Sequence, residues 1–294
     1  MPARAVDGEL FLQQGRRLVD GLLDRYLPPE TTEPRRLHAA MRYSVMAGGK
    51  RLRPLLSLAS YEYCGGVSEG EDLPIHHAMA ALEMVHTYSL IHDDLPCMDD
   101  DDLRRGIPTC HRKFDEATAV LAGDALHDIA FGLLARAGST EAVAELACAI
   151  GTEGMLGGQM ADVQAEGRRV SREEVIGIHR RKTGALIRGA VRIGAILAGA
   201  ERDLITPLTT YGEKIGLAFQ IVDDILDIAG DQHLLGKEVG SDSKRQKATY
   251  PAAVGLQTAR DDVRRLVDEA LAVFDESHEN MLKYLAEFIG RRQN

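Results

Sequence analysis

The chain has 294 residues, enough to bury a substantial core, and its formal net charge of −10 argues against a nucleic-acid or anionic-membrane binder with a broad positive field. Any anion must therefore be held by a local cationic patch. Aromatics are 5% of the residues, Trp is absent and no segment alternates apolar and polar residues for a strand's length, which predicts an all-α fold in one domain over residues 1–294.

Cys64, Cys97, Cys110 and Cys148 show no metal-type spacing, and with no signal pattern at the start they predict reduced thiols and a cytoplasmic protein. The apolar run Ala185–Ala200 is broken by Arg188 and Arg192, so no membrane span is expected.

In chain order, Leu10, Phe11, Gln14, Leu18, Leu22 and Leu23 predict an outer helix over Leu10–Tyr26, ended by Pro28-Pro29. A second helical piece, Leu37–Met46, leads into Gly48-Gly49-Lys50-Arg51-Leu52-Arg53-Pro54. Its glycines let the backbone approach a ligand and its cations offer charge to an oxyanion, although solvated cations at a helix start would read the same way. Tyr61–Asp72 is a connection, and Pro74 opens a core helix over Ile75–Leu95 with Ala78, Ala81, Leu82, Val85 and Ser89 on one face. His86 lies about 20° short of two turns before Asp93 and reads equally as a hydrogen-bonded core histidine. His92-Asp93 also matches the short HD pair of metal phosphohydrolases.

Ile91–Arg105, IHDDLPCMDDDDLRR, crowds six aspartates ahead of two arginines, so it is either fully solvated or binds cations. In a straight helix Asp93 and Asp99 would point about 120° apart, and Pro96 is expected to break the helix and return Asp99. Phe114–Arg136 and Val143–Ala165 continue the helical pattern, with Gly157-Gly158-Gln159 suited to close packing. Arg172–Ala200 is a helix rich in small residues, with Arg180, Arg181 and Lys182 placed to reach a central cavity.

Leu208–Ile228 has an apolar face, yet Asp223, Asp224 and Asp227 fall within an arc of about 100° on it. Such carboxylates must be protonated, paired or metal-bound. A loop follows with Lys237, Lys244, Arg245 and Lys247, then amphipathic helix over Pro251–Ile289 and a terminal Arg291-Arg292. Two acidic clusters far apart in sequence make sense as opposite walls of one site. Oxygen ligands without His or Cys point to Mg²⁺ bridging a diphosphate, and Lys50, Arg53, Arg104, Arg105, Lys182 and Lys237 supply the cationic islands.

GGKRLRP (48–54), LEMVHTYSLIHDDLPCMDDDDLRRG (82–106), LAGDAL (121–126), GGQMAD (157–162), RKTGALI (181–187), FQIVDDILD (219–227) and GKEVGSD (236–242) together resemble the trans-isoprenyl diphosphate synthase family, most of all bacterial farnesyl diphosphate synthases. The resemblance implies a barrel of antiparallel helices around a central cavity, in a homodimer. It implies three Mg²⁺ ions on an allylic diphosphate, held by Asp93, Asp99 and Asp223 with Asp94, Asp224 and Asp227 in support. Arg104, Lys182 and Lys237 would bind that diphosphate; Lys50, Arg53, His86 and Arg105 would bind isopentenyl diphosphate; Thr183 and Gln220 would face the allylic cation. Tyr88, with Ser89 beside it, lies about 7.5 Å before Asp93 along the helix and would floor the cavity, implying a fifteen-carbon product. The alternatives are a geranylgeranyl diphosphate synthase and a non-catalytic subunit of a heteromeric synthase. A terpene cyclase would carry an Asn/Ser/Glu-type second motif in place of DDILD.

Overall fold

Residues 7–229, 247–275 and 279–291 are described in the computed structural model. Among them, helices account for nearly all regular structure: α1 (Gly8–Tyr26), α2 (Arg35–Val45), α3 (Leu52–Tyr63) and α4 (Pro74–Asp93) precede a short hairpin of β1 (Leu103–Arg104) and β2 (Ile107–Pro108). Then come α5 (Cys110–Lys113), α6 (Glu116–Arg136), α7 (Thr140–Ile150), α8 (Met155–Ala165), α9 (Arg172–His179), α10 (Ala185–Leu197), α11 (Arg202–Ala229), α12 (Tyr250–Val254), α13 (Leu256–Leu271) and α14 (Met281–Arg291).

Local chemistry accounts for the boundaries. Asp7 and Asp115 each accept a backbone N–H in the first turn of α1 and α6, and Ser171 with Glu174 forms a capping box on α9. The expected helix over Val143–Ala165 is two, because Gly151 and Gly154 take non-helical backbone conformations between α7 and α8. The stretch expected as one amphipathic helix from Pro251 divides likewise, with Gly255 at φ 86° separating α12 from α13. The hairpin was not anticipated. Its two-residue turn, Arg105-Gly106, has positive φ at both positions, as a type I′ turn requires.

α4 is buried almost all round, so it is an inner helix rather than a surface one. It packs along α6 on one side and against α3 on the other; α10 packs on α3, α7 and α11, and α11 on α13. Close approach depends on small residues: a Cβ on Gly194 would lie 2.1 Å from the Ser57 carbonyl oxygen of α3. Among the described residues α6 is the one helix long and apolar enough to cross a membrane by length and composition, yet it lies along α4 and carries Asp124 and Asp128. Both acidic motifs sit at helix C-termini, Asp93 ending α4 and Asp227 in the last turn of α11. The helix dipole adds partial negative charge there, which sharpens the demand for cations.

Candidate active site

The first acidic motif is a folded-back loop. α4 stops at Asp93, and the Asp99 amide donates to the Asp93 carbonyl at 2.7 Å, which returns Asp99 to the helix end past Pro96 as expected. Burial pushes the Asp93 carboxyl up, with Lys182 pulling it down and Asp99 pushing it further up. Lys247 Nζ reaches both Asp99 oxygens, at 2.8 and 2.9 Å. Asp94 is turned to the hairpin: Arg104 meets its Oδ1 through Nε at 2.7 Å and through a terminal nitrogen at 2.5 Å. Burial nevertheless pushes the Asp94 carboxyl up to about 6. His92 donates to the Val120 carbonyl of α6 at 3.1 Å, which ties the end of α4 to α6.

Between α9 and α10 the helix widens for one π turn, Arg180–Gly184, a distortion that re-aims side chains and recurs at functional sites. Of its three cations only Lys182 turns inward, to Asp162 at 2.6 Å; Arg180 is exposed and Arg181 folds back on the Gly177 carbonyl. Burial works against the Lys182 charge, but Asp93, Asp162 and Asp99 outweigh it and hold its pKa up. Gly158 makes room for this turn, since a Cβ there would lie 2.1 Å from the Lys182 backbone nitrogen. Thr183 donates to Gln220 Oε1 on α11 at 2.6 Å, so the π turn touches the neighbourhood of both acidic motifs.

On α11 the three aspartates do not share one role. Asp223 is half-buried and lies within electrostatic reach of Arg53. Asp224 and Asp227 are buried, and Asp224 accepts from His179, Gln220 and the Tyr250 backbone.

The Gly48–Arg53 segment divides its cations too. Arg51 is buried and pairs with Glu83 at 2.7 Å and Asp20 at 2.9 Å, making it part of the frame. Arg105 donates to the Gly48 carbonyl and lies against Gly49, where a Cβ would meet the guanidinium at 2.8 Å. Arg53 is lowered by burial, with Glu83 and Asp223 opposing. Burial and the nearby Arg53, Arg105, Arg104 and Arg51 push His86 well down, so it is neutral at pH 7. Lys50 is half-buried on the same segment, and Lys237 lies outside the described residues.

Tyr88 is buried on α4 between two rings, His92 at 5.8 Å and His127 of α6 at 5.3 Å, and His127 in turn meets Phe131 at 4.9 Å. Ser89 donates to the His86 carbonyl at 2.9 Å. His127, Asp162, His179 and Lys247 were not picked out as site residues from sequence. The i,i+4 pair His127/Phe131 on α6 and the Asp closing GGQMAD were the available signals. Arg291 pairs with Glu287 at 2.6 Å beside a groove of about 530 Å³ between α1 and α14, lined also by Arg16 and Arg17.

A model of the polyprenyl synthetase family matches residues 34–289. The chain belongs to this family. The farnesyl diphosphate synthase of Escherichia coli K12 is 49% identical over 257 residues, covering 84% of this chain and 85% of that protein. The heterodimeric geranylgeranyl pyrophosphate synthase large subunit 1 of Arabidopsis thaliana, a chloroplastic protein, is 47% identical over 292 residues, covering 94% and 77%. The solved apo structure of an FPP/GFPP synthase from Zymomonas mobilis matches with a TM-score of 0.84 at 38% identity, covering 97% of this chain and 100% of that one. The polyprenyl synthetase described here thus has the all-α isoprenoid synthase fold and is a prenyltransferase of isoprenoid synthesis.

The donor set suits the magnesium that such chemistry implies. Among the described residues no three acidic, His or Cys side chains converge on one point, as a dedicated protein cage would require. Magnesium in general is bound by one or two carboxylates together with phosphate oxygens and water, and hard oxygen donors as near each other as Asp93 and Asp99 would fit that habit.

Proposed function

We propose that the chain is a farnesyl diphosphate synthase, condensing isopentenyl diphosphate with dimethylallyl or geranyl diphosphate and releasing diphosphate. The observation that supports the product length is the burial of Tyr88 against His92 and His127, rings that would floor the space beneath Asp93. The chain is read as one polyprenyl synthase domain, with the family match over 34–289 as support.

When bound, three magnesium ions, on Asp93, Asp99 and Asp223 with Asp94 and Asp227 in support, would neutralise charge on the leaving diphosphate. Lys182, Arg104 and Lys237 hold the allylic diphosphate, and the carboxylates now paired with Lys182 and Arg104 keep those cations aimed until it arrives. Lys50, Arg53, Arg105 and neutral His86 hold isopentenyl diphosphate; His86 contributes a hydrogen bond rather than charge. The allylic C–O bond breaks with its electron pair leaving on diphosphate, while the Thr183 and Gln220 oxygens face the carbocation. The isopentenyl double bond then attacks, and the departed diphosphate takes the proton. Catalysis is electrostatic, through groups positioned before charge develops. Retention of both acidic motifs supports a catalytic chain over a non-catalytic subunit.

The enzyme is read as a cytoplasmic homodimer. Val120 and Leu121 of α6, 40% and 57% exposed, are the apolar side chains that support a second copy covering that face. The test is product analysis with labelled isopentenyl diphosphate, Mg²⁺ and each allylic starter. Fifteen-carbon product from the dimethylallyl and geranyl starters supports the reading; twenty-carbon product from them assigns a geranylgeranyl diphosphate synthase, and no condensation refutes both.

A further inference from the structure

Asp224 is held by three donors inside the protein. Its Oδ2 accepts from His179 Nε2 at 2.8 Å and from the Tyr250 backbone N–H at 2.7 Å, and its Oδ1 accepts from Gln220 Nε2 at 3.0 Å. A carboxylate has about four lone-pair sites, so three are used inside the protein. The group is 2% exposed and His179 is 5% exposed, so water does not replace these donors.

The donors lead in two directions. Gln220 continues to Thr183 through the 2.6 Å bond, across α11 to the π turn. Tyr250 opens α12 and is fixed at both ends. Its amide is on Asp224, and its hydroxyl donates to Asp262 Oδ2 at 2.8 Å while accepting from Arg172 Nε at 3.1 Å. Three residues before Tyr250, Lys247 places its ammonium across both oxygens of Asp99. The chain's path from the second acidic motif to the first therefore runs from Asp224 to the Tyr250 amide, along three residues to Lys247, and on to Asp99.

His179 closes α9 and bonds Asp224 directly, whereas Arg172 at the start of the same helix reaches only the Tyr250 hydroxyl and Asp262. His179 sits at the helix end immediately before the π turn that carries Lys182 and Thr183. An imidazole there ties the frame of the π turn to the carboxylate that seats Tyr250.

We infer that His179 is a positioning residue: by holding Asp224 it fixes the Tyr250 amide and so sets where Lys247 meets Asp99. Asp224 is the hub of this strut, which separates its task from those of Asp223 and Asp227. The inference rests on the prenyl-transfer reading for its kinetic consequences, and on geometry alone for its structural ones.

Two substitutions separate positioning from bulk packing. In His179→Gln the side-chain amide nitrogen falls near the position of Nε2 and can still donate to Asp224; in His179→Asn it is too short. With geranyl diphosphate and labelled isopentenyl diphosphate, His179→Asn lowers kcat/KM for the allylic substrate by about 10- to 100-fold, the usual consequence of losing a second-layer partner, and His179→Gln recovers most of it. Combined with Lys247→Ala, His179→Asn adds no more than about threefold to the loss caused by Lys247→Ala, because the two act through one contact. Hydrogen exchange, which needs no activity, shows the Tyr250 amide less protected in His179→Asn and near wild type in His179→Gln. Losses that multiply in the double variant, or unchanged Tyr250 exchange in His179→Asn, overturn the inference. A wild-type protein that forms no product overturns the prenyl-transfer reading, while the exchange result still decides the strut.

Discussion

Tyr88 and His127 meet edge to face, their ring centroids 5.3 Å apart and their planes at 89°, and Phe131 continues the row behind His127. Two helices therefore contribute to this aromatic row, Tyr88 from α4 and His127 with Phe131 from α6. Tyr88→Ala should lengthen the product to twenty carbons or more, and Tyr88→Ala with His127→Ala should lengthen it further. Chromatography of dephosphorylated products checks both; unchanged length in Tyr88→Ala would remove Tyr88 as the floor.

Arg51 and Glu83 form a buried pair at 2.7 Å, with side chains 1% and 2% exposed. Removing one partner strands the other's charge in the core. Arg51→Ala should lose about 3–5 kcal/mol of stability in urea titration. Any folded fraction should bind isopentenyl diphosphate more weakly, because Arg51 also holds the Val45 carbonyl just ahead of the Gly48–Gly49 turn.

How much of this was legible in the sequence varied with the physics involved. The acidic motifs were legible because carboxylates inside apolar helices have few explanations, and the break at Pro96 followed from proline's missing N–H. The division of labour within each motif was not. Nothing in DDILD says that Asp224 faces α9 and α12, because that depends on the crossing of three helices. The same holds for Arg51 against Arg53, two residues apart, of which Arg51 forms the buried pair with Glu83 while Arg53 lies within electrostatic reach of Asp223. The Arg105-Gly106 hairpin turn was missed because two-residue strands carry no alternation to read. The π turn was missed because the shift made by one extra residue leaves little trace in a stretch as rich in small residues as Arg172–Ala200.

Gly158 tests that π turn. A methyl group there meets the Lys182 backbone rather than a flexible side chain, so the turn must move. Gly158→Ala should cost about 1–3 kcal/mol in stability and lower kcat through displacement of Lys182 and Thr183. Denaturant titration beside steady-state kinetics checks this; wild-type kcat would mean the turn accommodates the methyl without moving Lys182.

His86 gives a pH dependence with a definite sign. Its pKa is depressed in the folded chain by burial and by the surrounding arginines, below an ordinary value of 6.5. The unfolded chain therefore takes up the proton first as pH falls, so the contribution of neutral His86 is fully present above pH 6.5 and is lost progressively below it. His86→Asn should flatten the fall in melting temperature between neutral and mildly acidic buffer. An equally steep fall in the variant would assign that dependence to other groups.

The most direct test of the account is turnover of Asp93→Asn with geranyl diphosphate, labelled isopentenyl diphosphate and saturating Mg²⁺, measured beside its melting curve. Asp93 ends α4 within electrostatic reach of both Lys182 and Asp99, and burial pushes its carboxyl up. The account predicts a folded protein whose turnover falls by at least about 100-fold. Turnover near that of the wild type would contradict it.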